Sequence, residues 1–297
     1  MHQHHARSES DEIRVDAASC SDTGRMRTQN EDAVALCEPP DQERLARLGR
    51  LYLLADGAGG HAAGEVASRL AVETIASVYY QEAASGEETA EEVVRGHDVA
   101  SDLQGLLDLT LPHRQLVKAF DAAHRRIRHL AAREASYFGM VTTCLAVVVK
   151  GAHVLIAHVG DSRAYLLRAS TGSQPALTRL TTDHSMANAL ARAGIMPVEE
   201  TRSSPSRHVL VRALGENTDD PEEPDITARV VQAGDAMVLC CDGLWSLLSE
   251  EQIAQVVRTY APQAACRELV RLANEAGGDD NISVVLLSFA SHTWRKG

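Results

Sequence analysis

The chain begins with two segments, residues 13–20 and 32–37, in which apolar and polar side chains alternate. A period of two is typical of strands buried on one face, and the turn-forming residues 21–24 between the segments predict that the two strands pair. A third segment, residues 50–55, is almost continuously apolar and runs directly into Asp56-Gly57. The start of the chain therefore predicts β-structure that leads into an acidic turn.

Helical spacing appears in two later segments. In the first, apolar side chains recur at three- and four-residue intervals from Val66 onward. The second spans about residues 112–133 and has Leu116, Phe120 and Ile127 on one stripe. Such spacing predicts amphipathic helices that cover a sheet.

The rest of the chain returns to strands and then to helices. Residues 141–149, 153–159 and 163–167 are strand-like runs between short breakers, which predicts an antiparallel meander. Further strands are predicted at residues 236–241 and 282–287, and helices at residues 250–260 and 262–276. Strands in groups and helices in groups indicate an α+β fold with antiparallel sheets.

One domain is predicted, because no linker rich in glycine, serine or proline divides the 297 residues. It spans residues 12–291, between a disordered N-terminal segment (1–11) and a short tail. Residues 82–102 are strongly acidic and indicate a solvated loop or helix edge, with partner docking as the alternative. Residues 185–224 are polar and contain four prolines, which predicts a flap.

Composition narrows the classes of function. The formal net charge of −12 disfavours a surface that neutralises nucleic-acid phosphates or anionic lipid, so we expect no nucleic acid and no membrane as partners. The six cysteines show no CxxC pairing and are expected to be reduced. With neither a signal-peptide pattern nor a membrane-spanning stretch, the cytoplasm is the expected location. A chain of this length folds without a structural metal, so any bound metal is free to be catalytic.

Four aspartates share one local setting, in which each follows an apolar strand and lies beside a glycine or a sharp turn. They occur in Asp56-Gly57, Gly160-Asp161, Asp242-Gly243 and Gly278-Asp279-Asp280-Asn281. A strand end fixes a carboxylate, and the glycine lets a metal ion or water approach closely. One such aspartate is more often a turn residue. Four of them indicate ligands for hard ions such as Mg²⁺ or Mn²⁺.

A further acidic pair, Glu31-Asp32, follows the second turn, and Arg27 lies just upstream. An arginine in this position could be an ordinary surface residue. Near metal-binding carboxylates, however, a guanidinium group is well suited to bind a phosphate dianion.

These residues together resemble the metal-dependent protein phosphatases of type 2C, especially their compact bacterial members. The resemblance covers roughly residues 12–290. Each string is weak alone, but the series follows the family's order: Ser21-Asp22-Thr23-Gly24-Arg25-Met26-Arg27-Thr28-Gln29-Asn30-Glu31-Asp32, Ala55-Asp56-Gly57-Ala58-Gly59-Gly60-His61, Gly139-Met140-Val141-Thr142-Thr143, Val159-Gly160-Asp161-Ser162-Arg163, Asp183-His184-Ser185, Arg212-Ala213-Leu214-Gly215, Cys241-Asp242-Gly243-Leu244 and Asp280-Asn281-Ile282.

The resemblance implies a β-sandwich of two antiparallel sheets, flanked by α-helices on both sides, with two Mn²⁺ or Mg²⁺ ions between the sheets. Asp56 would bridge the ions, and the Gly57 carbonyl would ligate one of them. The implied ligands that complete the pair, directly or through water, are Asp32, Asp242 and Asp280. Asp161 is implied as the ligand of a third, weaker ion, and a plain turn residue is the alternative for it.

The implied activity is that of a serine/threonine phosphoprotein phosphatase. A metal-bridging hydroxide would attack phosphorus while Arg27 holds the phosphoryl oxygens, so Arg27 and Asp56 are the expected catalytic residues. Where some family members carry a histidine after the Asp-Gly as general acid, and bacterial ones commonly a methionine, this chain has Ala58. Metal-bound water or His61 would then have to supply the proton, and His61 is the candidate side chain.

The expected partners are phosphorylated proteins and a cognate serine/threonine kinase. A non-catalytic phosphoprotein-binding scaffold of the same fold is one alternative, but such a module is expected to lose ligands. A metal-dependent nuclease is another, which the acidic charge disfavours.

Overall fold

Two antiparallel sheets lie face to face at the centre of the protein, and helices cover the outer face of each. The computed structural model describes residues 13–39, 41–58, 63–81, 105, 108–169, 177–217 and 223–291. The predicted α+β sandwich flanked by helices on both sides is confirmed. The predicted terminal segments and the acidic residues 82–102 lie outside the described residues.

Among the described residues, sheet I contains five strands and sheet II contains six. The strands of sheet I are, in spatial order, β1 (Ile13–Asp22), β11 (Ile282–Ser291), β10 (Ala236–Cys240), β7 (Arg163–Leu167) and β8 (Leu177–Arg179). Those of sheet II are β2 (Asp32–Cys37), β3 (Arg50–Ala58), β5 (Cys144–Lys150), β6 (His153–Val159) and β9 (Asp225–Val230), with β4 (Val141–Thr142) paired to the end of β3.

Two predicted pairings are wrong, because the chain crosses between the sheets where a hairpin was expected. Strand β1 pairs with β11 in sheet I, whereas β2 pairs with β3 in sheet II. The predicted meander holds for β5 and β6, but β7 lies in the other sheet and pairs with β10. Gly160, at φ +104°, lies in the short connection from β6 to β7. A left-handed backbone of this kind favours glycine.

Helices form the two outer layers. Helices α2 (Ala63–Tyr79) and α3 (Thr110–Arg133) cover sheet II, beside the short α1 (Gln42–Leu48). Helices α5 (Asp242–Trp245), α6 (Glu250–Thr259) and α7 (Pro262–Glu275) cover sheet I. The predicted helices therefore lie close to their expected positions, whereas α1 and α5 were not predicted.

Side-chain alternation along the strands assigns each residue to a layer, and this assignment positions the site. In β3, Leu53 and Ala55 pack against the helices, whereas Leu54 points between the sheets. In β10, Cys240 packs against the helices and Leu239 faces the other sheet, as does Cys241 directly after the strand. By the same period of two, Asp56 follows Leu54 into the space between the sheets.

The predicted flap, described for residues 185–217 and 223–224, contains helix α4 (Met186–Arg192) and two 3₁₀ turns, Val198–Glu200 and Pro205–His208. Backbone hydrogen bonds close its base. The Met186 amide donates to the Val209 carbonyl at 2.8 Å, and the Val211 amide donates to the His184 carbonyl at 2.9 Å. These bonds bring the second 3₁₀ turn back toward the sandwich.

Candidate active site

Two aspartates face each other at one end of the sandwich, where β2 begins and β3 approaches its end. The β2–β3 register places Asp32 directly opposite Asp56. One oxygen of each carboxylate and the Sγ of Cys241, from the other sheet, lie within 4.8 Å of one another. Both sheets therefore contribute to one cluster of ligand-type atoms.

The backbone of Asp56 is held by two threonines from the β4–β5 region. The Asp56 amide donates to Thr143 Oγ1 at 3.0 Å, and the Thr142 hydroxyl donates to the Asp56 carbonyl at 2.9 Å. Asp56 lies inside β3 rather than after its end, because the strand continues to Ala58 by pairing with β4. The carboxylate is thus fixed by strand pairing on both sides.

Gly57 is required by the close approach of neighbouring backbone. A Cβ atom at this position would lie 2.1 Å from the Gly64 carbonyl oxygen, at the start of α2, and 2.7 Å from the Glu31 carbonyl oxygen. The sequence-predicted role of Gly57 as a carbonyl ligand stays a prediction.

Asp280 and Arg27 lie at the edge of the site, on loops that Asn281 joins. Arg27 Nη2 donates to Asp280 Oδ2 at 2.8 Å. The Asn281 side chain donates to the carbonyls of Thr23 and Gln29 at 2.9 Å each and accepts from the Glu31 amide at 2.8 Å. This one side chain therefore holds the loop that carries Arg27 against the turn that carries Asp280.

Asp161 and Asp242 complete the acidic side of the site. Asp242 is the first residue of α5 rather than part of a turn. Asp161 is only 4% exposed, and its carbonyl accepts from Trp245 Nε1 at 3.0 Å. We name Asp32, Asp56, Asp161 and Asp242 the acid cluster.

Because the acid cluster is buried, it is electrostatically unfavourable for all of its carboxylates to be ionised at once. Burial raises the pKa of Asp32 to about 7, with the charges of Asp242 and Asp280 acting in the same direction. Burial raises the pKa of Asp56 well above its usual range, and the neighbouring carboxylates raise it further. Burial has the same effect on the pKa of Asp161, and the charges of Asp242 and Asp183 add to it. Bound cations would remove this cost.

The oxygens of Asp32 fit such a cation. Among the described residues, neither buried carboxylate oxygen of Asp32 accepts a hydrogen bond of normal geometry, although the side chains of Ser283 and Cys241 lie close enough to stabilise its charge in part. A buried unpaired carboxylate is strongly unfavourable unless a proton or a metal ion compensates it. Together with Asp56, this donor chemistry suits hard divalent ions.

A cleft of about 600 Å³ opens over the acid cluster. Most predicted site residues line it, namely Arg27, Asp56, Gly57, Asp161, Asp242 and Asp280, and Ala58 lies among them. Asp32 is buried beside Asp56 instead. His61 lies outside the described residues.

Residues beside the acid cluster were also missed in the sequence. Arg207 and His208, from the second 3₁₀ turn of the flap, line the cleft, and His208 Nδ1 lies 3.1 Å from Asp242 Oδ2. No local pattern indicated them, because their position depends on how the flap folds back. Cys241 was expected only to be one of six reduced cysteines, although strand alternation from Leu239 could have placed it between the sheets.

A second group of charged residues behaves differently, and we name it the paired cluster: Arg163, Asp183, His184, Arg212 and Asp225. Arg163 binds Asp183 through Nε at 2.9 Å and Nη2 at 2.7 Å, which makes a buried bidentate pair. Arg212 Nη1 donates to Asp225 Oδ1 at 2.7 Å. The hydrogen bond from His184, reinforced by Arg212, holds the pKa of Asp225 well below its usual range. Each acid here has a cationic partner, which indicates a structural role.

His158 and His184 stack at 4.7 Å beside Asp225, and their ligand-type atoms lie within 4.8 Å of one another. This set is already satisfied from within the protein. His158 Nε2 contacts the Thr182 carbonyl, and His184 Nδ1 accepts from the Gly160 amide.

The described part of the chain contains no helix with the length and apolar character needed to cross a membrane.

Comparison with known proteins agrees with the geometry. The protein phosphatase 2C family matches residues 17–282. The chain is 32% identical over 277 residues to the serine/threonine protein phosphatase PstP of Mycobacterium tuberculosis, covering 93% of this chain but only 45% of that protein. It is also 32% identical over 270 residues to the protein phosphatase PhpP of Streptococcus pneumoniae, covering 90% of this chain and 95% of that one.

A solved structure has the same fold and contains bound metal ions. The catalytic domain of PstP in complex with two manganese ions is 30% identical, with a TM-score of 0.69 over 94% of this chain and 99% of that one. The chain therefore belongs to the protein phosphatase 2C family of metal-dependent serine/threonine phosphatases.

Proposed function

We propose that this protein hydrolyses phosphoserine and phosphothreonine in phosphoproteins and opposes a cognate serine/threonine kinase. The observation that carries the proposal is the acid cluster, whose carboxylates converge beneath an open cleft with Arg27 at its edge. We place its action in the cytoplasm, a proposal that rests on the sequence alone.

The residues that would hold the ions are those around Asp56. Asp32 and Asp56 would hold two Mn²⁺ or Mg²⁺ ions together with Asp242, Asp280 and the Gly57 carbonyl, and Asp161 would hold a third. When bound, two such ions supply an acidified water as nucleophile and positive charge for the phosphoryl group. The carboxylates also keep the ion positions rigid, because Asp32 and Asp56 belong to paired strands.

Arg27 would bind the phosphoryl group. Its side chain is half exposed, and the contact with Asp280 orients the guanidinium at the edge of the cleft. That contact engages Nη2, and the guanidinium carries five N–H donors in all, so others remain to bind phosphoryl oxygens. Electrostatic attraction also favours a dianion, since Arg27 would act beside the bound cations.

Ala58 lines the cleft but carries no proton for the leaving alkoxide. A side-chain general acid typically contributes about 10²–10⁴-fold, so turnover should depend steeply on the acidity of the leaving group. His61 remains the predicted substitute donor.

The flap would select among phosphoprotein substrates. Arg207, His208 and Leu210 line the cleft from the flap side, and Val209 between them is half exposed. A segment that forms one wall of the cleft would contact residues on either side of the phosphorylated one.

The test is release of phosphate from a phosphothreonine peptide with Mn²⁺, with Mg²⁺ and with EDTA. Arg27→Ala should lower kcat/KM by about 10- to 100-fold, the range expected for losing a charge-assisted contact. Arg25→Ala is the matched control, because Arg25 lies on the same loop, is exposed and does not line the cleft. Phosphopeptide binding without metal-dependent turnover would instead identify a scaffold and overturn the proposal.

A further inference from the structure

Cys241 places a sulfur atom among the carboxylates of the acid cluster. Its Sγ lies within 4.8 Å of an oxygen of Asp32 and an oxygen of Asp56. The residue is fully buried and directly follows β10 of sheet I, whereas the two aspartates lie on strands of sheet II. The sulfur thus reaches the carboxylates across the space between the sheets.

The surroundings of Cys241 allow its sulfur to act as a ligand. The Ser283 amide donates to Sγ at 3.1 Å, and Sγ itself donates to the Asn281 carbonyl at 3.3 Å. Burial and the carboxylates of Asp32, Asp56 and Asp242 raise the pKa of the thiol well above its usual range, so a bound metal ion would have to displace its proton. The first contact would persist after that loss, because an N–H group can donate to a thiolate. Only the second contact would have to be given up.

A cysteine alone would not define a site, but Asp32 supplies an independent observation. Within the described part of the chain, neither of its buried carboxylate oxygens accepts a hydrogen bond of normal geometry, with Ser283 and Cys241 as the nearby side chains that lower its pKa, and one oxygen belongs to the group of three ligand atoms. Two carboxylates and one sulfur form a mixed set of hard and soft donors. Carboxylate oxygens suit Mg²⁺ and Mn²⁺, whereas cysteine sulfur selects thiophilic ions such as Zn²⁺.

We propose that Cys241, Asp32 and Asp56 form a mixed thiolate–carboxylate site that binds thiophilic divalent ions, with Zn²⁺ as the ion of this class. Three protein ligands with a fourth position open to water match a common arrangement for zinc. Binding releases the thiol proton to solvent, because a coordinating sulfur is deprotonated by the metal. This inference rests on the proposed catalytic site and concerns which ion binds there. Its tests measure metal binding and do not depend on phosphatase turnover.

Co²⁺ is the first probe, because a cobalt–thiolate bond gives a ligand-to-metal charge-transfer band in the near ultraviolet and an all-oxygen site does not. The band should appear when Co²⁺ is added to the full chain and should be lost in Cys241→Ser. Cys240→Ala is the matched control, since the neighbouring thiol faces the helices rather than the ions. It should keep the band.

Zn²⁺ affinity, measured by competition with a chromophoric chelator, should weaken at least about tenfold in Cys241→Ser. The affinity for Mn²⁺, measured by calorimetry, should weaken by a clearly smaller factor, because oxygen ligands remain. X-ray absorption of the zinc-loaded wild-type protein should show one sulfur at about 2.3 Å. That measurement needs no variant and decides the matter even if Cys241→Ser fails to fold.

Three outcomes would overturn the proposal. They are a zinc spectrum with oxygen and nitrogen neighbours only, a cobalt band that survives in Cys241→Ser, and equal weakening of Zn²⁺ and Mn²⁺ in that variant. None of them would affect the proposed phosphatase activity, which is measured with Mn²⁺ on phosphopeptides.

Discussion

The acid cluster and the paired cluster contain the same kind of residue and lie close together, yet they differ in how their charge is balanced. Asp183 is bound bidentately by Arg163, and Asp225 is bound by Arg212. In the acid cluster, by contrast, the strongest influences on Asp56 after burial are other carboxylates, which raise its pKa.

This difference separates aspartates that stabilise the fold from aspartates that await a ligand. A buried acid with an internal cation is complete, and removing its charge leaves the cation unpaired. A buried acid among other acids is incomplete without a proton or a metal ion, and removing its charge relieves repulsion. Replacing an aspartate by asparagine is therefore expected to stabilise the metal-free protein in the acid cluster and to destabilise the protein in the paired cluster.

The largest expected effect comes from Asp56→Asn. Loss of a central ligand should lower Mn²⁺-dependent phosphate release by at least about 10³-fold, because bound ions contribute several kcal/mol to the transition state. In EDTA the same variant should melt at a higher temperature than the wild type, since a buried charge has been removed. Asp242→Asn should also lose activity.

The control for this experiment is Asp16→Asn, an exposed position on β1. Near-normal turnover of Asp56→Asn at saturating Mn²⁺ would contradict the ligand assignment. A lowered melting temperature in EDTA would contradict the claim that the acid cluster is repulsive.

Asp183→Asn should have the opposite effect on stability. The substitution leaves the buried Arg163 guanidinium without its carboxylate, which typically costs about 3–5 kcal/mol. Urea unfolding monitored by circular dichroism measures this directly. Glu268→Gln, which breaks an exposed pair with Arg271, is the control and should change the free energy of unfolding much less. Equal losses of unfolding free energy in Asp183→Asn and Glu268→Gln would contradict the distinction between the two clusters.

The two clusters should also respond to pH with opposite sign. Burial raises the pKa of Asp32 from 3.8 to about 7, so the folded protein binds this proton more tightly than the unfolded chain. In EDTA, that stability is present below pH 3.8 and is lost as pH rises through about 7. The loss should amount to at most about 4 kcal/mol and should be absent in Asp32→Asn.

Asp225 gives the opposite direction, because its pKa is lowered by His184 and Arg212. Its contribution is present above pH 3.8 and declines as the pH falls below that value. Urea unfolding at a series of pH values, in the wild type and in Asp225→Asn, tests this sign. The prediction is contradicted if the free energy of unfolding of the wild type rises as the pH falls below 3.8 and that of Asp225→Asn does not.

The smallest effect is expected from His208→Ala, because this side chain contacts the acid cluster from the flap and not from a strand. A single contact of about 1 kcal/mol corresponds to roughly a fivefold change, which should appear in KM for a phosphopeptide. A smaller change is expected for an aryl phosphate, which has no flanking residues. Equal changes for both substrates would place His208 in the chemistry instead of in substrate selection.

The positions of most strands were well predicted, because their signals are local, although β1, β3 and β11 extend beyond their predicted ends. Period-two alternation and the Asp-Gly strings were enough to place Asp56 and Asp242 near one another, once the resemblance ordered them. The pairing of β1 with β11 was not predicted, since it joins residues more than 250 positions apart and leaves no local pattern. His208 was missed for the same reason, because the return of the flap depends on backbone bonds at its base.

Trp245 lies between the two clusters, where its fluorescence is sensitive to the surroundings of both. The Arg163 guanidinium carbon is 3.5 Å from the centre of its ring, and the His208 imidazole is nearly parallel to it, with the ring centres 6.0 Å apart. The chain has two tryptophans, and the other, Trp294, lies outside the described residues. The indole of Trp245 is thus a natural fluorophore that lies close to both the flap and the fixed scaffold. Its emission would report displacement of the 3₁₀ turn from the sandwich without any attached dye.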